Sequence, residues 1–304
     1  MAYRLRRDES ISTGLRRLAK KEIKNASYEL RRSDPPSDDA IHEARKGVKK
    51  VGALFRLVKA DRGEGLGNGK KRLRAVNHAL SQLRDADAML EVLDRMRNKD
   101  GRLFNKRAFA RVHSRLSAHR REVLHAARHD NVWPDVVKHL QKIRRGARQW
   151  RPTHRGFQAL GEGIRLSHLR GHKAMIRARK TGRAKDFHEW RKEMKALWYE
   201  LRLLEECSTG IKHDVALLHR VETWLGDEHN LVVFCAEVSR DASICNGMVD
   251  LGRLQQTVNR YQCDLRKKAI ASAGTIYRRK TDSYVRAMKR AWKTWRQQAR
   301  RTSV

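Results

Sequence analysis

Apolar residues recur along this chain every three to four positions, almost without a break. That is the period of helices that bury one face. Strand-like alternation is scarce, and only four prolines punctuate the pattern. The first helix is expected over 10–32. Pro35 and Pro36 stop it, and Ser37 or Asp38 can cap the next. The second has an apolar stripe of Ala44, Val48, Val51, Phe55 and Val58, and the glycine-rich run DRGEGLGNGK (61–70) ends it. The third keeps Leu73, Val76, Leu80, Leu83, Ala86, Leu90 and Leu93 on one stripe. A fourth is expected over 107–128. A short segment then opens at Asn131 to Pro134, and the basic run QKIRRG (141–146) leads to a linker near Trp150 to Thr153. The order then restarts, with helices expected over 156–180, 185–206, 213–238, 248–273 and 283–300.

The restart is also visible in the residues. IHEARKGVKKVGALFRLV holds His42, Arg45, Lys46, Lys49 and Arg56; FHEWRKEMKALWYELRLL holds His188, Arg191, Lys192, Lys195 and Arg202. At about 100° per residue each set of five falls in one stripe. The opposite stripe of the second copy is Trp190, Met194, Leu197, Leu201 and Leu204. LSQLRDADAML at Leu80 parallels LGDEHNLVVF at Leu225. These matches predict an all-α protein made by internal duplication. The simplest form is two antiparallel four-helix bundles related by a pseudo-twofold axis, over 1–150 and 151–304.

Charge changes this picture most. Seventy Lys and Arg stand against 34 Asp and Glu, a net charge of +36 in 304 residues. Disorder is excluded, because 39% of residues are hydrophobic and recur with helical period. A charge this large repels itself and attracts polyanions. The two five-residue columns carry one sign only, whereas a merely soluble helix mixes signs on its solvated face. From His42 to Arg56 a helix rises roughly 21 Å, enough to meet several successive phosphates. Arg offers a planar fork to two oxygens and Lys a mobile point charge. His42 and His188 can donate while neutral and charge below about pH 6.5. Arg17, Lys20 and Lys24 on the first helix, and Arg165, Arg170, Lys173 and Arg177 on the helix opening the second half, extend the candidate surface.

Other chemistry lacks its parts. The glycine-rich run does not have the order of a phosphate loop and reads as a flexible turn. His125 with His129, and His168 with His172, have four-residue spacing, but flanking Arg and Lys argue against a metal, and none is expected. Carboxylate clusters that could hold Mg²⁺ are absent from the basic faces, so neither an enzyme nor a cofactor is expected. Arg84, Asp85 and Asp87 suit an interhelical ion pair, and Trp292 and Trp295 suit helix packing. Cys207, Cys235, Cys245 and Cys263 form no C-x-x-C pair, which fits a reducing cytoplasm. No leader-like segment and no apolar run of ~18 residues occurs, so a soluble cytoplasmic protein is expected. The charge alone leaves three partners open: nucleic acid, an anionic membrane surface and inorganic polyphosphate.

The doubled H-x-x-R-K-x-x-K, with LRDADAML and LGDEHNL after the two copies, resembles the conserved-histidine α-helical domain family, CHAD. GIRLSHLRGHKAMIRA (163–178) and YRRKTDSYVRAMKRAWKTWR (277–296) are similar to the helix opening that family's second half and to its closing segment. The resemblance implies two four-helix bundles, a basic surface between them that binds long-chain inorganic polyphosphate, and association with polyphosphate granules. Asn230 departs from the family's usual aspartate, the counterpart of Asp85, and His229 stands opposite Arg84.

Overall fold

Polar residues start three of the helices where the pattern placed them. The Ser10 hydroxyl accepts from the Thr13 amide, Ser37 from Ala40, and the Asn105 side chain from Ala108. The computed structural model describes residues 3–99, 105–240 and 251–301; the side chains of 82–84, 99, 239, 240, 251 and 299–301 are outside that description, and so is Cys245. Among the described residues the helices are α1 (Ile11–Glu29), α2 (Asp38–Ala60), α3 (Gly69–Lys99), α4 (Lys106–His129), α5 (Val132–Gly146), α6 (Gln158–Thr181), α7 (Ala184–Arg202), α8 (Thr209–Arg240), α9 (Leu251–Tyr277) and α10 (Thr281–Arg301), with 3₁₀ turns at Ala147–Gln149 and Glu205–Cys207. The fold is all-α. The basic run 141–146 is the last part of α5 and leads through the 3₁₀ turn to Trp150.

Both expected apolar stripes are buried: Ala44, Val48, Val51, Phe55 and Val58 on α2, and Trp190, Met194, Leu197 and Leu201 on α7 with Leu204 just beyond its end. Four large apolar side chains per helix, at about 1.5–3 kcal/mol for each full burial, fix which way α2 and α7 face. On α3 the stripe is buried at Leu73, Val76, Leu80, Ala86 and Leu93, with Leu90 packed at its edge; the side chains of Leu83 and Arg84 lie outside the described residues.

The packing order repeats between halves. α1 packs on α2, α2 on α3 and α3 on α4, as α6 packs on α7, α7 on α8 and α8 on α9. The cores do not divide the same way. One cluster runs through both halves, from Leu15 and Val48 to Trp190, Leu218 and Tyr284. A second joins α3 and α4, through Leu93 and Val112, to α8 and α9, through Phe234 and Val258. Where α6 crosses α2, a Cβ on Gly163 would lie 2.5 Å from Leu57 Cδ2 and 3.1 Å from its Cα, so glycine permits the approach.

The glycine-rich turn is pinned rather than loose. Glu64 forms a β-bridge with Arg151, and buried Asp61 accepts from the His154 amide at 2.9 Å and meets its Nδ1 at 2.6 Å. Gly65 (φ +79°) runs so close to Gln149 that a Cβ would meet its carbonyl oxygen at 2.2 Å. No helix among the described residues is long and apolar enough to cross a membrane.

Candidate anion-binding site

Helices α2, α3, α8 and α7 pack in a closed cycle, each on the next. Because α2 and α7 turn their apolar stripes to the core, the two charged stripes meet where these helices pass each other. Arg45 Nη1 donates to the Leu80 carbonyl of α3 at 2.5 Å. Lys195 Nζ lies 2.6 Å from Glu222 Oε1 on α8, and Arg191 Nη2 lies 3.2 Å from the same oxygen. Glu222 is buried. Lys49 is half-buried and has no hydrogen bond or ion pair among the described residues.

The electrostatics follow from that placement. Burial pulls the Lys49 ammonium down to about 6, and the charges of Lys195, Arg45 and Arg191 push it the same way against Glu222. Burial also lowers Lys195, with Glu222 opposing. At Glu222 burial works to raise the carboxyl, but Lys195, Arg191 and Lys49 outweigh it, and the net shift is downward. One carboxylate therefore faces three cations drawn from both columns.

The histidines differ between copies. His188 packs on His229 of α8, ring centroids 4.1 Å apart, with its Nδ1 buried and unpartnered. Burial, then the charges of Lys192 and Arg191, lower His188 to about 4; burial and His188 lower His229 to about 3. The expectation that His188 charges below about pH 6.5 is therefore corrected: a half-buried ring beside cations resists a proton. His42 is exposed.

The other sequence-selected residues sit elsewhere. Lys46 and Lys192 each pair one turn back, with Glu43 and Glu189, at the exposed edge of the columns. Arg56 Nη2 meets Glu193 Oε2 at 2.5 Å, and its Nε lies 3.9 Å from Glu200 Oε1. Burial lifts the Glu200 carboxyl to about 8, and Ser167 donates to it at 2.9 Å, so Glu193 is the charge that balances Arg56. Arg202 lies over the rings of Trp198 and Tyr3. Arg17 clasps Glu9 through Nε and Nη2 and donates to the Arg4 carbonyl. Arg165 pairs with Glu162, and Arg177 with buried Asp186. Lys20, Lys24, Arg170 and Lys173 are exposed. Of the candidates, Arg45, Lys49, Arg191 and Lys195 are drawn together at one place.

The remaining candidates resolve into packing. His168 is fully buried, stacked on Tyr284 and 3.0 Å from Thr281 Oγ1, and His172 stacks on Tyr277. Among the described residues no cluster of three His, Cys, Asp or Glu side chains could hold a metal. Asp87 pairs across to α4, with Arg120 Nε at 2.6 Å. Trp295 is buried and Trp292 packs on Phe157.

Sequence reasoning missed Glu222 and the Leu80 carbonyl. Glu222 had a faint signal: it stands three residues before Leu225, where the first half has Asn77 before Leu80.

The CHAD domain family matches residues 16–239, well over half the chain, and the protein belongs to that family. CHAD domains are associated in general with polyphosphate. Among curated proteins no sequence matches this chain.

Proposed function

We propose that this protein binds long-chain inorganic polyphosphate along the two charged stripes of α2 and α7, as a binding module without turnover. The observation that carries the reading is the meeting of Lys49, Lys195 and Arg191 around Glu222, with Arg45 close to Lys49. Leaving a buried ammonium unpaired is costly for a fold and useful to a polyanion. Polyphosphate has about one charge per residue and no bases to read. Non-bridging oxygens can accept from Arg forks and Lys ammonium groups all along such a stripe. The finer attributes belong to the same reading: residence in the cytoplasm at polyphosphate granules, and a site formed jointly by the halves 1–150 and 151–304.

Nonspecific nucleic-acid binding is the second reading, motivated by the net charge of +36. Stacking platforms would favour it. The aromatic rings nearest the columns are engaged already, Trp198 with His219 and Tyr199 with Tyr3.

Competition between long polyphosphate and duplex DNA for the purified protein, at physiological salt, separates the two. Polyphosphate should win clearly, because a flexible chain can enter between helices where a stiff duplex cannot. Affinity should fall steeply as salt rises, since each ion pair releases counterions. DNA binding as tightly as polyphosphate would overturn the reading.

A further inference from the structure

The glycine-rich turn forms one wall of a cavity of about 620 Å³, and no residue of the two columns lines it. Its cations come from two helices: Arg72 from the start of α3, and Lys142 and Arg145 from the end of α5. None of the lining residues is acidic. The side chains of Arg72, Lys142 and Arg145 make no ion pair or hydrogen bond among the described residues. One turn earlier on α5 the chain does supply a partner, Asp135 for Lys138 at 3.0 Å. Three like charges thus open on one space with no carboxylate to offset them, and their repulsion works against the fold. Packing does not explain them either, since Lys142 and Arg145 are exposed.

The walls of this space are held before any ligand arrives. Glu64 bridges Arg151, and Asp61 accepts from the His154 amide at 2.9 Å, so the turn is tied to the segment that follows α5. Trp150, which also lines the cavity, is buried edge-on against Phe55, with ring centroids 5.9 Å apart. A ligand entering there does not have to order the turn.

We propose that this cavity is a second anion site, separate from the columns, that takes the di- or triphosphate group of a small molecule. Its volume is that of a small-molecule pocket. Three cations suit several negative charges held close together, with Arg72 and Arg145 each able to fork two oxygens and Lys142 supplying a point charge. The run 61–70 lacks the order of a phosphate loop, so recognition rests on these side chains rather than on an amide cradle. Leu66 and Ile143 give an apolar wall to whatever the phosphates carry. Free triphosphate and a nucleoside triphosphate share this chemistry. The proposal does not depend on the column reading.

Titration calorimetry of the whole protein with tripolyphosphate and with ATP, at fixed pH and salt and without divalent cations, tests it. Lys142→Ala with Arg145→Ala should weaken tripolyphosphate at least about tenfold, since each lost charge-assisted contact is worth that much. Both side chains are exposed and unpaired, so the melting temperature should hold. Arg72→Ala, made separately, should weaken the same ligand in the same way. Lys49→Met, on the column, should leave tripolyphosphate within about twofold of wild type. ATP binding tighter than tripolyphosphate assigns the cavity to nucleotides; ATP binding no tighter assigns it to the phosphate group alone. The proposal is overturned if neither ligand binds. It is equally overturned if tripolyphosphate ignores the loss of Lys142 and Arg145, or is weakened tenfold by Lys49→Met, because the columns would then be where short anions bind.

Discussion

Lys49→Met should stabilise the fold while weakening the function, and the size of the gain can be worked from its surroundings. The groups facing Lys49 are Arg45 on its own helix, Arg191 and Lys195 on α7, and Glu222 on α8, with the neutral rings of His188 and His229 nearby. Together with burial they bring the ammonium from 10.5 to about 6. At pH 7 the folded chain therefore sheds a proton that the unfolded chain keeps. A gap of about 3.5 units between pH 7 and the unfolded value is worth at most about 5 kcal/mol, at ~1.4 kcal/mol per unit. Water entry and movement of a half-exposed side chain relieve much of that, so a gain of about 1–3 kcal/mol is the expectation. Methionine keeps the length and volume without the charge. The sign with pH is fixed by linkage. The folded value lies below the unfolded one, so the penalty is fully present below about 6 and fades as pH rises towards the ordinary lysine value. Urea denaturation at pH 6 and pH 9 reads this directly: the gain should be larger at pH 6. A variant that is less stable than wild type at pH 6, or whose gain grows with pH, would refute the reading of Lys49 as a lysine whose charged form burial and its cationic neighbours disfavour.

Lys195→Met should do the reverse. It strips the nearer partner from buried Glu222 while Arg191 remains, and should cost about 1–3 kcal/mol in the same denaturation assay, against the 3–5 typical of breaking a buried pair outright; a gain equal to that of Lys49→Met would show that Glu222 does not discriminate between the two lysines. Acid should unfold the protein partly through the ring pair. His188 and His229 titrate at about 4 and about 3 when folded, so their contribution is complete above the unfolded value of ~6.5 and is lost as pH falls towards 4. Replacing both with glutamine should flatten stability between pH 6.5 and 4; an unchanged slope counts against the neutral pair.

The hydrophobic period made the helices and their buried stripes legible, because burial of Val48, Val51, Met194 and Leu197 leaves α2 and α7 only one way to face. The doubled His-Arg-Lys pattern likewise showed that two charged stripes exist. Angular position could not show which cations are already taken. Arg17, Arg56 and Arg177 share plausible faces with the others, but Glu9, Glu193 and Asp186 reach them from a preceding segment, a facing helix and the next helix. Arg202 spends its guanidinium on Trp198 and on Tyr3, which lies near the start of the chain. The glycine-rich turn read as flexible because composition reports backbone freedom and not the strand-like bridge to Arg151 that removes it. The core spanning both halves was illegible for a related reason: periodicity gives each helix a buried face without saying which partner covers it.

Duplication alone would give a symmetric site, and symmetry offers two extremes. Carboxylates at both Asn77 and Glu222 would match Lys49 and Lys195 equally and leave little net charge for a ligand. No carboxylate at either would leave four cations crowded between α2 and α7. Two unit charges 4 Å apart repel by about 4 kcal/mol at an effective dielectric of 20, so a fold of ordinary marginal stability could not bear several such pairs. Glu222, with Asn77 at the matching position of the first half, lies between these limits. It pairs with Lys195 and Arg191, joining α7 to α8, and acts on Lys49 of α2 without a direct ion pair. A bound polyanion would favour return of the proton that burial and cationic neighbours expel from Lys49 at neutral pH. The difference between Asn77 and Glu222 thus falls where the two similar basic segments meet.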